Sequence, residues 1–186
     1  MNKARRATLQ RIADTLHKRH ELAESAAATV VDLTANDAVG WITAEGIQAA
    51  EAALDKLHDL DIEGLRDEVS EVADEEQEAM DNLPESLQGA GPGERIQEAL
   101  DNLESADGSF DEALSALTEA TEAWEVLTKT LAKLPRTVEG HLDVASLSET
   151  QRTDVRTEFV DIGASLTNLA AMVQEAIDGI EQARDV

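Results

Sequence analysis

Carboxylates are the groups this sequence holds in quantity: 40 Asp and Glu against 15 Lys and Arg, with four His, no Cys and no Tyr. Asp59-Leu-Asp61-Ile-Glu63-Gly64 matches the first half of a calcium loop, in which alternating oxygens and a glycine turn wrap the ion. The twelfth position, which should bring a bidentate acid, is Ser70, and Arg66 stands where an apolar residue is usual. Asp59, Asp61 and Glu63 are therefore weak metal candidates, and no metal is expected. Asp55-Lys-Leu-His58 supplies half of a helical di-metal motif, but a second Glu-x-x-His is missing. His17 and His20, one turn apart beside Glu21 and Glu24, read as a solvated helix face. Gly89-Ala-Gly91-Pro-Gly93 has the glycines of a phosphate loop without its Lys-Ser/Thr end or a preceding strand. It also puts Glu94 where an anion would sit, so it reads as a linker. Neither a nucleophile elbow nor a zinc-protease helix is present. With thiolates and disulfides excluded, the chain is expected to be non-enzymatic and to use no cofactor.

The acids gain meaning from their spacing. At about 100° per residue from Asp67, the side chains of Glu68, Glu71, Asp74, Glu75, Glu78 and Asp81 fall within about −40° to +100°. Ile62, Leu65, Val69, Val72, Ala79, Met80 and Leu83 fall opposite. Carboxylates one turn apart stand ~6 Å apart along a helix, near the scale of successive backbone phosphates. Such a face can imitate a nucleic-acid strand to a basic protein groove; its plainer reading is a solvated surface. Like charges at this spacing oppose the helix by a few tenths of a kcal/mol per pair, and a basic partner would offset that. Glu76 breaks the pattern, because it lies in the middle of the apolar arc, where an unpaired carboxylate is costly. The preferred expectation is a phase shift of the stripe; the other is a buried polar contact with His17, Arg19 or His20.

Helices must carry these residues, since apolar spacing is helical nearly throughout. Leu9, Ile12, Leu16, Ala23, Ala27 and Val30 predict a long helix over about residues 3–33, ended by a turn at Asn36, Asp37 and Gly40. Thr43 is the expected N-cap of a second helix. Its stripe (Ile47, Ala50, Leu54, Leu57) continues through Ile62 and Val72 to Leu83, where Pro84 stops it. After the glycine linker, a short helix bears Ile96, Leu100 and Leu103 and ends near Asp107-Gly108. Ser109-Phe110-Asp111-Glu112 then reads as a capping box opening a helix through Trp124 to Leu134. Pro135 to Leu147 forms a connector, and Ser148 with Gln151 caps a last helix striped by Val155, Phe159, Ile162, Leu166 and Ile180. The expected fold is all-α, an elongated, coiled-coil-like bundle of four to six helices without a sheet. Its segments are 1–88, an acidic hairpin over 89–134, and 135–186, within one continuous helical domain. Single helices could not bury such stripes alone, so a homo-oligomer is expected. Gln77-Glu-Ala-Met-Asp-Asn-Leu83 recurs at Gln97–Leu103 and, more loosely, at Gln174–Ile180; chance in an Ala/Glu/Leu-rich chain accounts for it.

Charge is unevenly spread. The net of −25 divides into −1 over residues 1–58, −20 over 59–125 and −4 over 126–186. Salt adaptation of a whole proteome would distribute acids more evenly. Direct nucleic-acid binding is not expected, because it needs a positive surface. Ile162 to Val173, the most apolar stretch, is shorter than the ~20 residues of a membrane span, so a cytoplasmic protein without membrane contact is expected. The basic start (Lys3, Arg5, Arg6, Arg11, Lys18, Arg19) is expected to pack near the acidic block rather than on an anionic surface.

The string Asp74-Glu-Glu-Gln-Glu-Ala-Met-Asp-Asn-Leu-Pro-Glu-Ser-Leu-Gln88, with Gly93-Glu94-Arg95 and the helix after it, resembles small acidic helical proteins of tailed phages and prophages. The resemblance covers residues 74–104. It implies a phage origin, hence a host-cell cytosol location, and no particular activity. The leading expectation is a phage-type accessory protein that binds a basic surface of a host or phage protein through Asp67, Glu68, Glu71, Asp74, Glu75, Glu78 and Asp81. Mimicry of nucleic acid, inhibiting a host nucleic-acid-binding or defence complex, is its concrete form. The alternative is an oligomeric scaffold or virion component in which the acids only solvate.

Overall fold

The computed structural model describes residues 1–35, 43–137 and 143–186. The chain is all-α, with six α-helices and no strand among the described residues. They are α1 (Lys3–Ala35), α2 (Ala44–Asp55), α3 (Ile62–Asp81), α4 (Glu85–Gln88), α5 (Gly91–Leu131) and α6 (Glu149–Asp185), with 3-10 turns at Lys56–Leu60 and Val144–Ser146. The turn expected at Asn36, Asp37 and Gly40, and residues 138–142 of the connector, lie outside the described residues.

Two caps form as the sequence predicts. Thr43 Oγ1 accepts from the Gly46 amide at 2.9 Å. Ser148 and Gln151 form a reciprocal capping box, the Ser148 amide donating to Gln151 Oε1 at 2.9 Å and the Gln151 amide to Ser148 Oγ at 3.2 Å.

Three expectations are corrected. The stripe from Ile47 to Leu83 is not one helix: a 3-10 turn and Asp61, at φ 45°, separate α2 from α3. A residue in left-handed conformation cannot continue an α-helix. The glycine linker is shorter than expected, because Gly91, Pro92 and Gly93 form the first turn of α5. The first turn has no use for the amide that proline lacks. Nor does a hairpin turn fall at Asp107-Gly108, since α5 runs unbroken through it. Ser109 is buried inside the helix, its Oγ donating to the Ser105 carbonyl at 3.2 Å rather than capping. The reason is register: Ala99, Leu103, Ala106, Phe110 and Ala113 step by four and three across that point, all of them buried. A continuous packed seam outweighs one glycine, which costs about 1 kcal/mol in a helix.

The chain forms two compact units: Met1–His20, Asp61–Leu114 and Ala171–Val186 make one, and Glu21–Leu60 with Ser115–Ala170 make the other. In the first unit four helical segments close a ring. Arg5 and Arg11 of α1 reach α3, and Arg66 of α3 reaches α5. The space for a Cβ on Gly179 of α6 is bounded by the Asn102 carbonyl (3.0 Å) and the Ala106 side chain (3.1 Å) of α5. Arg184 of α6 donates to Gln10 of α1 at 2.6 Å. Each neighbouring pair runs antiparallel, as Arg5 with Glu75 and Arg11 with Glu68 illustrate. The core is Leu9, Ile12, Leu16, Ile62, Val69, Leu103, Phe110, Val173, Ile177 and their neighbours.

The second unit buries Ala23, Ala27, Val30, Leu54, Leu60, Ala120, Leu127, Phe159, Ile162 and Leu166. Trp124 leans on Phe159, ring centres 6.4 Å apart and tilted by 59°. Arg156 donates to the Thr34 carbonyl at 3.3 Å. The apolar stripes thus bury one another within the chain. Among described residues the only large apolar side chains left exposed are Val31, Leu87, Val126 and Val160. The premise that the stripes need a second copy to cover them no longer holds.

Candidate functional site

Helix α3 is a three-sided element. Its apolar side (Ile62, Leu65, Val69, Val72) enters the core of the first unit. One flank meets α1, where Arg5 Nε donates to Glu75 at 2.9 Å and Arg11 pairs with Glu68. The other flank meets α5, where Arg66 Nε donates to Asp107 at 2.7 Å and its Nη1 stands 2.6 Å from Asp111. Asp67, Glu71, Asp74, Glu78 and Asp81 are left facing out, all exposed, and none forms a salt bridge among the described residues. Their steps of four, three, four and three keep them in one narrow strip. The seven-residue face expected from the sequence therefore splits: five acids present outward, while Glu68 and Glu75 tie α3 to α1.

Glu76 is buried, at 0% exposure, and stays in phase with the stripe. The preferred phase shift is thereby corrected. Its partner is on the first helix, but is Arg5 rather than His17, Arg19 or His20: Arg5 Nη1 lies 2.7 Å from Glu76 Oε1. The approach is an ion pair without hydrogen-bond alignment, and neither Glu76 oxygen has a hydrogen-bond partner among the described residues. Partial burial opposes the charge on Arg5, but Glu76 and Glu75 together outweigh it and raise its pKa. A signal for this pairing exists in the sequence. Arg5 precedes Leu9, Ile12 and Leu16 in the same seam register, and Glu76 follows Val69 and Val72 in theirs.

The Arg66 clamp was not anticipated, although Arg66 is one of two bases among 22 acids in residues 59–125. Its hydrogen bond to Asp107, with the added pull of Asp111 and Asp67, holds the guanidinium above its ordinary pKa. The same bond holds the Asp107 carboxyl below its ordinary 3.8. Beyond the clamp lies a groove of about 490 Å³ between α3 and α5. Val69, Ala73, Leu100 and Leu103 line it with apolar surface, and Asp67, Ser70, Gln77, Gln97, Asp101 and Glu104 with polar groups.

The remaining sequence candidates do not converge. The calcium-loop string lies across the start of a helix. Glu63 and Gly64 lie in the first turn of α3, and the Asp61 carboxylate folds over Gly64, where an added Cβ would sit 2.7 Å from it. The side chains of Asp59 and His58 lie outside the described residues. No cluster of three or more metal-ligating side chains occurs among the described residues. His17 Nε2 stands 3.6 Å from Glu181 of α6. No helix of the described residues is long and apolar enough to cross a membrane. The recurring heptapeptide has one shared structural effect. In each copy the Gln amide donates to the Asp four residues on, at 2.8 Å (Gln77 to Asp81, Gln97 to Asp101, Gln174 to Asp178). Gln10 does the same to Asp14 outside any copy, so the bond belongs to the Gln-x-x-x-Asp spacing and not to a repeat.

No protein-family model matches this sequence, and no curated protein does.

Proposed function

We propose that this chain is a non-enzymatic accessory protein, of the phage type that residues 74–104 resemble, which docks a basic protein surface on the outward strip of α3. One observation carries the reading. Arginines of α1 bind Glu68 and Glu75 on one flank of α3, and on the other flank Arg66 of α3 binds Asp107 and Asp111 of α5, yet Asp67, Glu71, Asp74, Glu78 and Asp81 remain exposed and unpaired by salt bridges. Fourteen helical steps from Asp67 to Asp81 set these charges along about 21 Å. A rigid line of anions at this pitch suits a groove that otherwise binds a nucleic-acid backbone, which makes a host nucleic-acid-binding or defence complex the fitting target class.

The test replaces Glu71, Asp74 and Glu78 by Lys in the full chain and compares capture of basic proteins from bacterial lysate. Capture should be lost while far-UV circular dichroism is unchanged, and duplex DNA should release the partner from the unaltered chain. Capture undiminished by the three substitutions at low salt, where surface charge acts most strongly, refutes the reading. The scaffold alternative is addressed by mass in solution with and without about 0.5 M salt, which screens charge to a few ångströms but leaves apolar contacts intact. A large, salt-insensitive assembly would favour the scaffold.

A further inference from the structure

The groove between α3 and α5 borders the outward strip, sharing Asp67 with it, and differs from it in having an apolar floor. Ala73 and Leu100, both half-buried, supply that floor, while Val69 and Leu103, each 1% exposed, back the groove from the core without offering surface. Asp67 stands on the α3 rim, and Asp101 and Glu104 on the α5 rim. Arg66 already shows what the rim accepts. Its guanidinium makes two hydrogen bonds to Asp107 (2.7 and 3.1 Å) and one to Asp111 (3.2 Å), from a side chain itself only 30% exposed. The rest of the groove repeats that chemistry without an arginine of this chain to fill it. Neither Asp101 nor Glu104 forms a salt bridge among the described residues. Asp101 is oriented by Gln97, which donates to it at 2.8 Å.

We infer that this groove seats an arginine-bearing amphipathic helix of the partner protein. The inference rests on the protein-docking reading above and names the element that docks. Charge complementarity selects the occupant. An aliphatic arginine stem covers apolar floor while its planar fork takes a carboxylate two bonds at a time, as Arg66 does. A second copy of this chain fits poorly, since the surrounding segment is strongly acidic and like charges would meet. From Arg66 to Gln77 the groove runs about 16 Å, or three helical turns. An occupant needs arginines at i, i+4 and i+7 on one side and leucines on the side facing the floor.

The probe is a synthetic, end-blocked helical peptide of that pattern, with a composition-matched scrambled peptide as control, titrated into the full chain by fluorescence anisotropy. The patterned peptide should bind at least tenfold more tightly than the scrambled one. D101N with E104Q should weaken it at least tenfold, and A73F, which fills the floor without changing charge, should do the same. Each variant is checked for its fold by circular dichroism; D101N with E104Q is near-isosteric and on exposed rims, which keeps the test decisive even where A73F unfolds. A second triple variant, E71Q, D74N and E78Q, separates this inference from the strip reading. Loss of binding in the groove variants supports the groove. Loss only in the strip variant overturns the groove and leaves the strip. Equal binding of patterned and scrambled peptides also overturns the groove.

Discussion

Replacing Arg5 by Met removes the counter-ion of Glu76 while keeping most of the side-chain volume. Glu76 is wholly buried, and neither of its oxygens has a hydrogen-bond partner among the described residues, so nothing else there compensates its charge. Breaking a buried pair from one side costs about 3–5 kcal/mol. The lower end applies, because the Arg5 side chain is 17% exposed and water reaches the vacated position. Glu76→Leu should cost less, about 1 kcal/mol, since Arg5 keeps its bond to Glu75 and its access to solvent. The double variant should return to within about 1 kcal/mol of the parent, since an apolar pair of similar volume replaces a buried ion pair at little cost. The resulting coupling energy is about 3–4 kcal/mol, at or just above the upper end of the range for residues in direct contact. Guanidinium unfolding followed by circular dichroism reads these values; 3 kcal/mol corresponds to a midpoint shift of about 1 M. An Arg5→Met cost under about 1 kcal/mol, or a double variant as unstable as Arg5→Met, would refute a buried, paired carboxylate at this seam.

Two glycines of α5 should behave oppositely. Gly108→Ala should stabilise by about 0.5–1 kcal/mol, because the position is helical with open space around it, whereas a turn there would make alanine costly. Gly93→Ala should destabilise by about 1–3 kcal/mol, because the new Cβ would sit 2.0 Å from the Gln88 carbonyl oxygen; thermal unfolding compares the two. Ser148→Ala should cost about 1 kcal/mol by the same measurement, through loss of the capping box that starts α6. The Arg66–Asp107 bond gives an acid dependence of known sign. Asp107 has its pKa depressed in the folded chain, so its contribution is present above the ordinary 3.8 and is lost as pH falls through the depressed value. Asp107→Asn should flatten that part of an acid-unfolding curve, and an unchanged curve would remove the clamp as a source of acid sensitivity.

Helix type and position were legible because seams of four-and-three steps repeat over long stretches, and Thr43, Ser148 and Pro84 are strong local punctuation. Local punctuation misled where a seam ran through it. Asp107-Gly108-Ser109 looks like a stop followed by a cap, yet Ala106 and Phe110 on either side belong to one buried register. The opposite error occurred at residues 56–61, where an apolar stripe concealed a break set by one left-handed residue, Asp61. The acidic face was legible as an arc. Its division into bound flanks and a free strip was not, because that depends on which helix lies to each side of α3. The same ignorance hid Arg5 as the mate of Glu76: two seam positions can be recognised singly, but their meeting requires the antiparallel pairing of α1 with α3. The α5 acids of the groove were overlooked for a related reason, since only a second helix makes a groove of a face.

Counting charges overstates how freely these acids move. Asp14, Asp81, Asp101 and Asp178 each hold a glutamine amide across one helical turn, which biases their carboxylates toward one rotamer by about 0.2–0.5 kcal/mol. An incoming cation usually has to immobilise such a side chain, at roughly 0.5–1.5 kcal/mol of lost rotational freedom. Where glutamine has already done part of this, that part of the loss falls on folding instead of on association. Neutral residues that titrate at no pH thereby set how stiffly the anions are presented, and exchanging Gln97 for Ala would loosen a charge without removing one.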